Sequence, residues 1–248
     1  MKFDLVIQGP LNQTSLDKLN ELSQEFENVI VSHWDCDDFQ YSAVARDNIV
    51  VISQPLPDRE KTYGVMKNST FYYSICSTFL GLQCCKSEYT IKMRSDEIYS
   101  NFTVLKERLM ENSEKFVFGN IFAKPWTHSP YHIGDHLFAA KTEHLYNSYK
   151  ILFDSYTFGS NLMENPWIIQ GFPSNNTAES ILAKSFLHAK EINKNLWSFK
   201  STLVKNFDVV DINDLGDYTA KWVNGFKTYS SNNNRYECSI TNTNFSLF

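Results

Sequence analysis

The sequence predicts an α/β protein in which a largely parallel sheet is sandwiched between helices. Short, mostly apolar runs alternate with amphipathic segments through the first half of the chain. Such runs are typical of strands that are buried on both faces. No internal repeat and no linker divides the chain, so we expect one domain over residues 1–248.

Four strands and three helices are expected in the first half. The strands correspond to FDLVIQ (3–8), NVIVSHW (28–34), NIVVISQPLP (48–57) and EYTIKM (88–93). The helices correspond to TSLDKLNELSQEF (14–26), to residues 67–85 with a stop near Gly81, and to NFTVLKERLMEN (101–112). Their apolar residues recur at helical spacing, and Thr14 or Ser15 can cap the first helix. This alternation predicts parallel pairing with right-handed crossovers.

The second half has a different pattern. Strands are expected at KFVFGNIFA (115–123) and HIGDHLFAA (132–140), and a helix at TAESILAKSFLHA (177–189). Thr177 is a suitable N-cap for that helix, and Glu179 lies in its first turn. From about residue 191 the pattern is mixed and predicts no element.

Composition and charge exclude several classes of protein. The net charge is −5 and lysine and arginine form no cluster, which argues against a nucleic-acid partner. No apolar run approaches the roughly 18 residues of a transmembrane segment. Residues 3–7 already form a strand pattern, which leaves no room for a secretory signal. The five cysteines form no disulfide framework, so a cytoplasmic location is predicted.

The first strand ends in the turn Gln8-Gly9-Pro10-Leu11. This turn has neither the G-x-G-x-x-G pattern of dinucleotide oxidoreductases nor the G-K-[ST] ending of a P-loop. The chain also lacks a G-x-S-x-G nucleophile elbow and any Cys/His spacing of a structural zinc site. A nucleotide bound here therefore needs a divalent cation, an arginine or a lysine to meet its phosphate charge.

Polar residues end three of the predicted strands, at Gln8, at Asp35 and at residues 94–97. The carboxyl ends of parallel strands share one edge of a sheet, and α/β proteins bind ligands at that edge. We therefore expect these three groups to face one ligand site.

The group at residues 94–97 has two interpretations that local chemistry leaves open. In the first, Asp96 binds Mg²⁺ or Mn²⁺ with Glu97 as a helper, Arg94 reaches a phosphate, and Lys92 lies on the same strand face. In the second, the group is a solvated surface turn in which Arg94 pairs with Asp96.

Several segments, taken in order, resemble the WavE-type lipopolysaccharide-synthesis family, whose members look like GT-A glycosyltransferases. The segments are VIQGP (6–10), VIVSHWD (29–35), an asparagine at 68 before ICSTFLGLQ (75–83), EYTIKMRSDE (88–97) and GDHLFAA (134–140). The resemblance covers residues 3–145, with a weaker continuation to about residue 190. It implies a GT-A-like, Rossmann-type nucleotide-binding sheet. Residues 1–115 would then bind a nucleotide-sugar donor and residues 116–248 a glycan acceptor.

The resemblance also implies roles for residues at the donor site. Gln8, Gly9 and Pro10 would border the base or ribose, and Asp35 would bind the nucleobase. Asn68 is a further candidate, although the family commonly has arginine after this asparagine and this chain has Ser69.

Arg94, Ser95 and Asp96 would take the place of the GT-A D-x-D motif, with Asp96 as the metal ligand. Arg94 stands where the first acid belongs. Weak or absent dependence on Mg²⁺ or Mn²⁺ is therefore an alternative, in which Asp96 holds sugar hydroxyls.

Two acids in the second half are candidates for the catalytic base. Glu179 lies at a predicted helix N-terminus, where GT-A enzymes often place a base, although it can equally complement the helix dipole. Asp135 lies inside an apolar predicted strand, which is an unfavourable place for a carboxylate without a partner. His132 and His136 beside it can contact acceptor hydroxyls or serve the structure.

The resemblance implies a hexosyltransferase that works with inversion in lipopolysaccharide or surface-polysaccharide synthesis. One alternative is a catalytically inactive carbohydrate-binding or scaffold protein of the same fold, which the arginine at position 94 favours. A nucleotide-sugar hydrolase or a phosphotransferase is a further alternative.

Overall fold

A computed structural model of the chain describes residues 1–10, 13–35, 46–63, 70–120, 131–159, 177–196, 200–216, 218–220 and 227–229. Seven strands form one sheet: β1 (Phe3–Gln8), β2 (Asn28–Trp34), β3 (Ile49–Gln54), β4 (Tyr89–Arg94), β6 (Phe116–Gly119), β7 (Leu137–Lys141) and β8 (Phe207–Val210). A smaller sheet contains β5 (Glu97–Tyr99), β9 (Tyr218–Ala220) and β10 (Lys227–Tyr229).

Six α-helices accompany these strands in the described ranges: α1 (Gln13–Glu25), α2 (Phe71–Gln83), α3 (Thr103–Glu111), α4 (Thr142–Phe158), α5 (Ala178–Ala189) and α6 (Lys200–Asn206). Short 3-10 turns lie at Arg59–Lys61, Lys194–Leu196 and Ile212–Leu215. Across the described parts of the chain, no helix is both long and apolar enough to cross a membrane.

The main sheet has the strand order β3-β2-β1-β4-β7-β6-β8. The first four strands pair in parallel, as the sequence predicts. β7 runs antiparallel to both β4 and β6, and β8 is parallel to β6, so the whole sheet is mixed. Because β4 pairs with β7, one sheet continues across the predicted boundary near residue 115.

Helices cover both faces of this sheet, which confirms the predicted α/β sandwich. Along β1, the side chain of Val6 enters the core on the side of α2, α4 and α5. The side chains of Leu5 and Ile7 enter the core on the side of α1 and α3. All three are fully buried, as expected for a central strand whose successive side chains point to opposite faces.

Helix α2 ends at Gln83, just after the predicted stop near Gly81. A Cβ at Gly81 would lie 2.7 Å from Cγ1 of Val6. The glycine therefore permits close packing of α2 against β1.

The second half differs from the prediction at β7 and at α4, among other elements. β7 begins at Leu137, whereas the predicted strand begins at His132. Helix α4 was not predicted, although Leu145, Tyr149, Leu152 and Tyr156 recur at helical spacing and are buried.

Helix α5 confirms the predicted helix at 177–189. Thr177 has an extended backbone, and its hydroxyl accepts a hydrogen bond from the Ser180 amide at 3.2 Å. This is the geometry of a side-chain N-cap, so Glu179 lies in the first turn as predicted.

A candidate active site at the strand ends

The carboxyl ends of β1 and β4 meet where the strand order reverses. From β1 the chain passes to β2 and β3 on one side, then returns to β4 on the other side. Such a reversal opens a crevice between the two strand ends. Because β7 runs antiparallel to β4, the residues that precede β7 approach the same edge of the sheet.

The turn after β1 is fastened to the turn after β4. The Ser95 amide donates to the Gln8 carbonyl at 2.9 Å, and the Ser95 hydroxyl donates to the Pro10 carbonyl at 2.6 Å. Gly9 has a φ of 109°, and a Cβ there would lie 3.0 Å from the Ser95 hydroxyl oxygen. The Gln8 side-chain oxygen accepts from the Ser77 hydroxyl at 3.1 Å. Two of the three predicted groups are therefore adjacent.

Arg94 and Asp96 form a two-point ion pair. The Arg94 Nε and Nη2 atoms donate to the two Asp96 carboxylate oxygens at 2.8 and 2.7 Å. Asp96 is buried, whereas the Arg94 side chain keeps 30% of its surface exposed. Burial alone would lower the pKa of Arg94, but the hydrogen bond to Asp96 and the charge of Glu97 outweigh it and raise the pKa. Arg94 is therefore a fixed cation that solvent reaches.

Glu97 is a fully buried carboxylate next to this pair. It accepts a hydrogen bond from the Tyr99 hydroxyl, and its other oxygen contacts Nδ1 of His136. The Arg94 Nε atom lies 3.4 Å from that second oxygen. Glu97 thus connects the strand end of β4 to the segment that precedes β7.

Asp135 precedes β7, which corrects the prediction that it lies inside a strand. Its carboxylate lies 3.3 Å from Nε2 of His136, and its side chain keeps 16% of its surface exposed. Burial would raise the pKa of Asp135, but His136, Lys92, Arg94 and His132 together hold it below the usual value. Asp135 is therefore a paired, ionised acid at the edge of the sheet.

His136 lies between two carboxylates. Burial would lower the pKa of His136, but the charges of Glu97 and Asp135 outweigh it and raise the pKa. A protonated imidazole donates from both nitrogens, which suits an acid on each side.

Lys92 lies beneath this site. It is 1% exposed, and its ammonium donates to the Asp135 backbone carbonyl at 2.7 Å. The ammonium also lies 5.0 Å from the centroid of the Phe138 ring. Burial lowers the pKa of Lys92 to about 8. In this arrangement Lys92 holds the Asp135 segment in place.

Glu179 faces the same edge from the N-terminus of α5. Its carboxylate lies 3.5 Å from Nε2 of His132, and 20% of its side chain is exposed. Tyr131, which precedes His132, has a left-handed backbone with a φ of 64°, and its carbonyl accepts from the Ile133 amide at 2.8 Å. This turn presents His132 to Glu179.

The remaining predicted donor residues have different outcomes. Asp35 follows β2 at the same edge, is exposed, and donates its amide to the Gln54 carbonyl at 2.8 Å. Asn68 lies outside the described residues.

The acidic and basic side chains at this edge form a set that we call the strand-end cluster. Its members are Lys92, Arg94, Asp96, Glu97, His132, Asp135, His136 and Glu179.

A family model described as WavE lipopolysaccharide synthesis matches residues 3–195. The chain belongs to this family. The match includes every member of the strand-end cluster, and it places the WavE chain in lipopolysaccharide synthesis. A search of curated proteins found no significant match.

Among solved structures, the WavE chain is similar to 4-diphosphocytidyl-2C-methyl-D-erythritol synthase from Anaerococcus prevotii. The identity is 13%, the TM-score is 0.47, and the match covers 85% of this chain and 89% of that one. It is also similar to HddC from Yersinia pseudotuberculosis complexed with GMP-PN, with 11% identity, a TM-score of 0.38, and coverage of 59% and 80%.

The donor set at Asp96 does not suit a divalent metal. Both Asp96 oxygens already accept hydrogen bonds from Arg94. Within the described ranges, no group of three His, Cys, Asp or Glu side chains is placed to hold a metal ion. We therefore derive no step through a metal in the WavE chain.

Sequence reasoning missed the central position of Glu97, which it gave only as a helper to Asp96. The contact between Glu97 and His136 joins residues 39 apart in the chain. No local pattern marks such a contact, because it depends on β7 pairing with β4. In the sequence, residues 94–97 indicate only that a polar site begins at the end of β4.

Proposed function

We propose that this WavE chain is a glycosyltransferase that moves a sugar from a nucleotide-sugar donor to a glycan acceptor in lipopolysaccharide or surface-polysaccharide synthesis. One observation carries the proposal: donor-side residues of β1 and β4 and acidic residues of the second half converge at a single reversal of strand order. A GT-A-like use of this sheet and transfer of a hexose with inversion belong to the same proposal.

The donor would lie over the ends of β1, β2 and β4. The turn at Gln8–Pro10 brings backbone close to the crevice, because Gly9 lacks a side chain there. Asp35 is exposed at the neighbouring strand end, where its carboxylate would bind the nucleobase. Arg94 supplies a permanent positive charge for the diphosphate.

In the transfer step, an acceptor hydroxyl oxygen forms a bond to the anomeric carbon of the donor sugar. The bond between that carbon and the diphosphate oxygen breaks, and the nucleoside diphosphate leaves with the electron pair. The acceptor proton passes to a carboxylate of the protein. Cations held near the leaving oxygen stabilise the charge that develops there.

Glu179 is the better candidate for that carboxylate. Asp135 is held ionised by four cationic groups, which makes it a weak proton acceptor. Glu179 contacts His132, and an acceptor can reach the 20% of its side chain that is exposed. Asp135 would instead hold His136 and bind sugar hydroxyls.

The proposal is tested with a panel of UDP-, GDP- and CMP-linked sugars, each added singly in a thermal-shift assay. We expect one nucleotide class to raise the melting temperature, and release of that nucleotide to increase when a lipopolysaccharide fraction is added. Asp96→Asn is expected to reduce the thermal shift, because it weakens the hold on Arg94.

Glu179→Gln is expected to keep the thermal shift and to lower transfer by at least about 100-fold. Glu143→Gln is the matched control, since Glu143 is the exposed first-turn acid of α4 and should leave transfer unchanged. Wild-type transfer in Glu179→Gln would move the base elsewhere.

The bidentate hold of Arg94 on Asp96 favours one alternative, a binding protein of this fold without turnover. That alternative predicts glycan binding with no thermal shift from any nucleotide sugar. EDTA tests the metal separately, and an unchanged transfer rate is expected.

A further inference from the structure

Lys184, in α5, is a buried cation that none of the contacts described so far involves. The residue is 3% exposed. Within the described residues, no carboxylate lies within 4.0 Å of its ammonium and no hydrogen bond is made to it. A buried charge without a partner is unfavourable, and proteins keep few of them.

The ammonium of Lys184 lies near Tyr131, in the segment that leads into His132. Side chains of an α-helix point towards its N-terminus, which here is the end that carries Glu179. The ammonium lies 5.9 Å from the centroid of the Tyr131 ring. Tyr131 immediately precedes His132, the residue that contacts Glu179. Lys184 therefore lies beside the acceptor side of the proposed site.

Among the described residues, the charged groups around the site have partners of opposite charge or hydrogen-bond acceptors that Lys184 lacks. Arg94 is matched by Asp96 and Glu97, and His136 by Glu97 and Asp135. The other matched groups are His132 with Glu179, and Lys92 with the Asp135 carbonyl and charge.

We propose that Lys184 is an anion-binding residue that pairs with a phosphate or carboxylate group of a substrate. This inference rests on the proposed function for the identity of the substrate, but not for the existence of the site. The anion has two sources of the same chemistry: the diphosphate of the donor or an acidic group on the acceptor. An incoming anion would supply the missing counter-charge and offset the desolvation of the ammonium.

Burial lowers the pKa of the Lys184 ammonium to about 8. At neutral pH the side chain therefore still carries its charge, so the site is ready for an anion.

The test compares the full-length wild-type chain with Lys184→Met, which keeps the length and volume and removes the charge. The probes are inorganic pyrophosphate, UDP, GDP, glucose 6-phosphate and glucuronate, each followed by thermal shift and calorimetry. We expect at least one probe to bind the wild type and to lose about 10- to 100-fold in affinity in Lys184→Met. Without ligand, Lys184→Met should melt at the same or a higher temperature, because it removes an unpaired buried charge.

Lys150→Met is the matched control, because Lys150 is half exposed and pairs only with Asp154 on the surface of α4 among the described residues. It should leave anion affinity unchanged. Lys184→Arg keeps the charge and should keep most of the affinity, so the proposal stays testable if the methionine variant does not fold.

The probes also separate the two sources of the anion. Loss of affinity for pyrophosphate and nucleoside diphosphates assigns Lys184 to the donor, and loss confined to glucose 6-phosphate or glucuronate assigns it to the acceptor. Equal affinities in wild type and Lys184→Met, or no binding of any probe to the wild type, would overturn the proposal. Pyrophosphate binding that depends on Lys184 in a chain without transferase activity would leave this site standing and remove the proposed function.

Discussion

Replacing Glu97 by glutamine tests whether this buried carboxylate holds the strand-end cluster together. Glutamine keeps the shape of the side chain and removes its charge. Breaking a buried ion pair by removing one partner typically costs about 3–5 kcal/mol. Here Arg94 retains Asp96, and His136 retains Asp135, so we expect a loss of about 2–3 kcal/mol in the free energy of unfolding. For a chain of this length that corresponds to a melting temperature lower by about 5–10 °C.

The loss should depend on pH in a direction that the structure fixes. The pKa of His136 is raised in the folded chain, so its pairing with Glu97 stabilises fully below the unfolded pKa of about 6.5. This contribution disappears as the pH rises through the folded pKa. The difference between wild type and Glu97→Gln should therefore be larger at pH 6 than at pH 9, as measured by urea unfolding.

Glu114→Gln is the control for Glu97→Gln. Glu114 also contacts a lysine and a histidine, Lys141 and His144, but 57% of its side chain is exposed. Exposed pairs contribute about 0–1 kcal/mol, so this variant should lose little stability. Equal losses in the two variants, or a loss in Glu97→Gln that is the same at both pH values, would refute the reasoning.

Three further predictions concern Asp4, Gly9 and Lys92. Asp4→Asn should lower the free energy of unfolding, measured in urea, by about 2–4 kcal/mol, and a loss below about 1 kcal/mol would contradict this. The reason is that the buried Asp4 carboxylate accepts hydrogen bonds from the Ser87 amide and hydroxyl, the Lys86 amide and the Asn28 side-chain amide. Gly9→Ala should lower the melting temperature and weaken any thermal shift caused by a nucleotide, because the φ of 109° disfavours a side chain and the new Cβ would lie 3.0 Å from the Ser95 hydroxyl oxygen. An unchanged thermal shift with nucleotide would show that this turn lies outside the donor site. Because the folded pKa of Lys92 is about 8, below the unfolded value, its contribution to stability should rise with pH between about 8 and 10, and Lys92→Met should flatten that part of the stability profile.

Much of the fold follows from local patterns in the sequence. The central strands and most helices were predicted because continuous apolar runs and helical spacing are local properties. Helix α4 shows that a local signal can also be overlooked. The start of β7 was misplaced because the apolar run at 137–140 was extended back over residues 132–136, which do not pair with β4.

The candidate site was predictable in its parts. Gln8, Arg94 and Asp96 were selected because strand ends of a parallel sheet share an edge, and the structure brings them together. The contact of Glu97 with His136 and the burial of Lys184 were not predictable, since both depend on which distant segments become neighbours.

The sequence by itself determined the alternation of strands and helices, the parallel first half and the family, since these depend on residue order and spacing. Only the tertiary structure decided that Arg94 pairs with Asp96, that Glu97 contacts His136, and that Lys184 is buried with no carboxylate of the described residues beside it. The physical reason is that the energetic effect of a charged group depends on its burial and on the groups next to it. Those neighbours come from segments that only the packed sheet brings into contact.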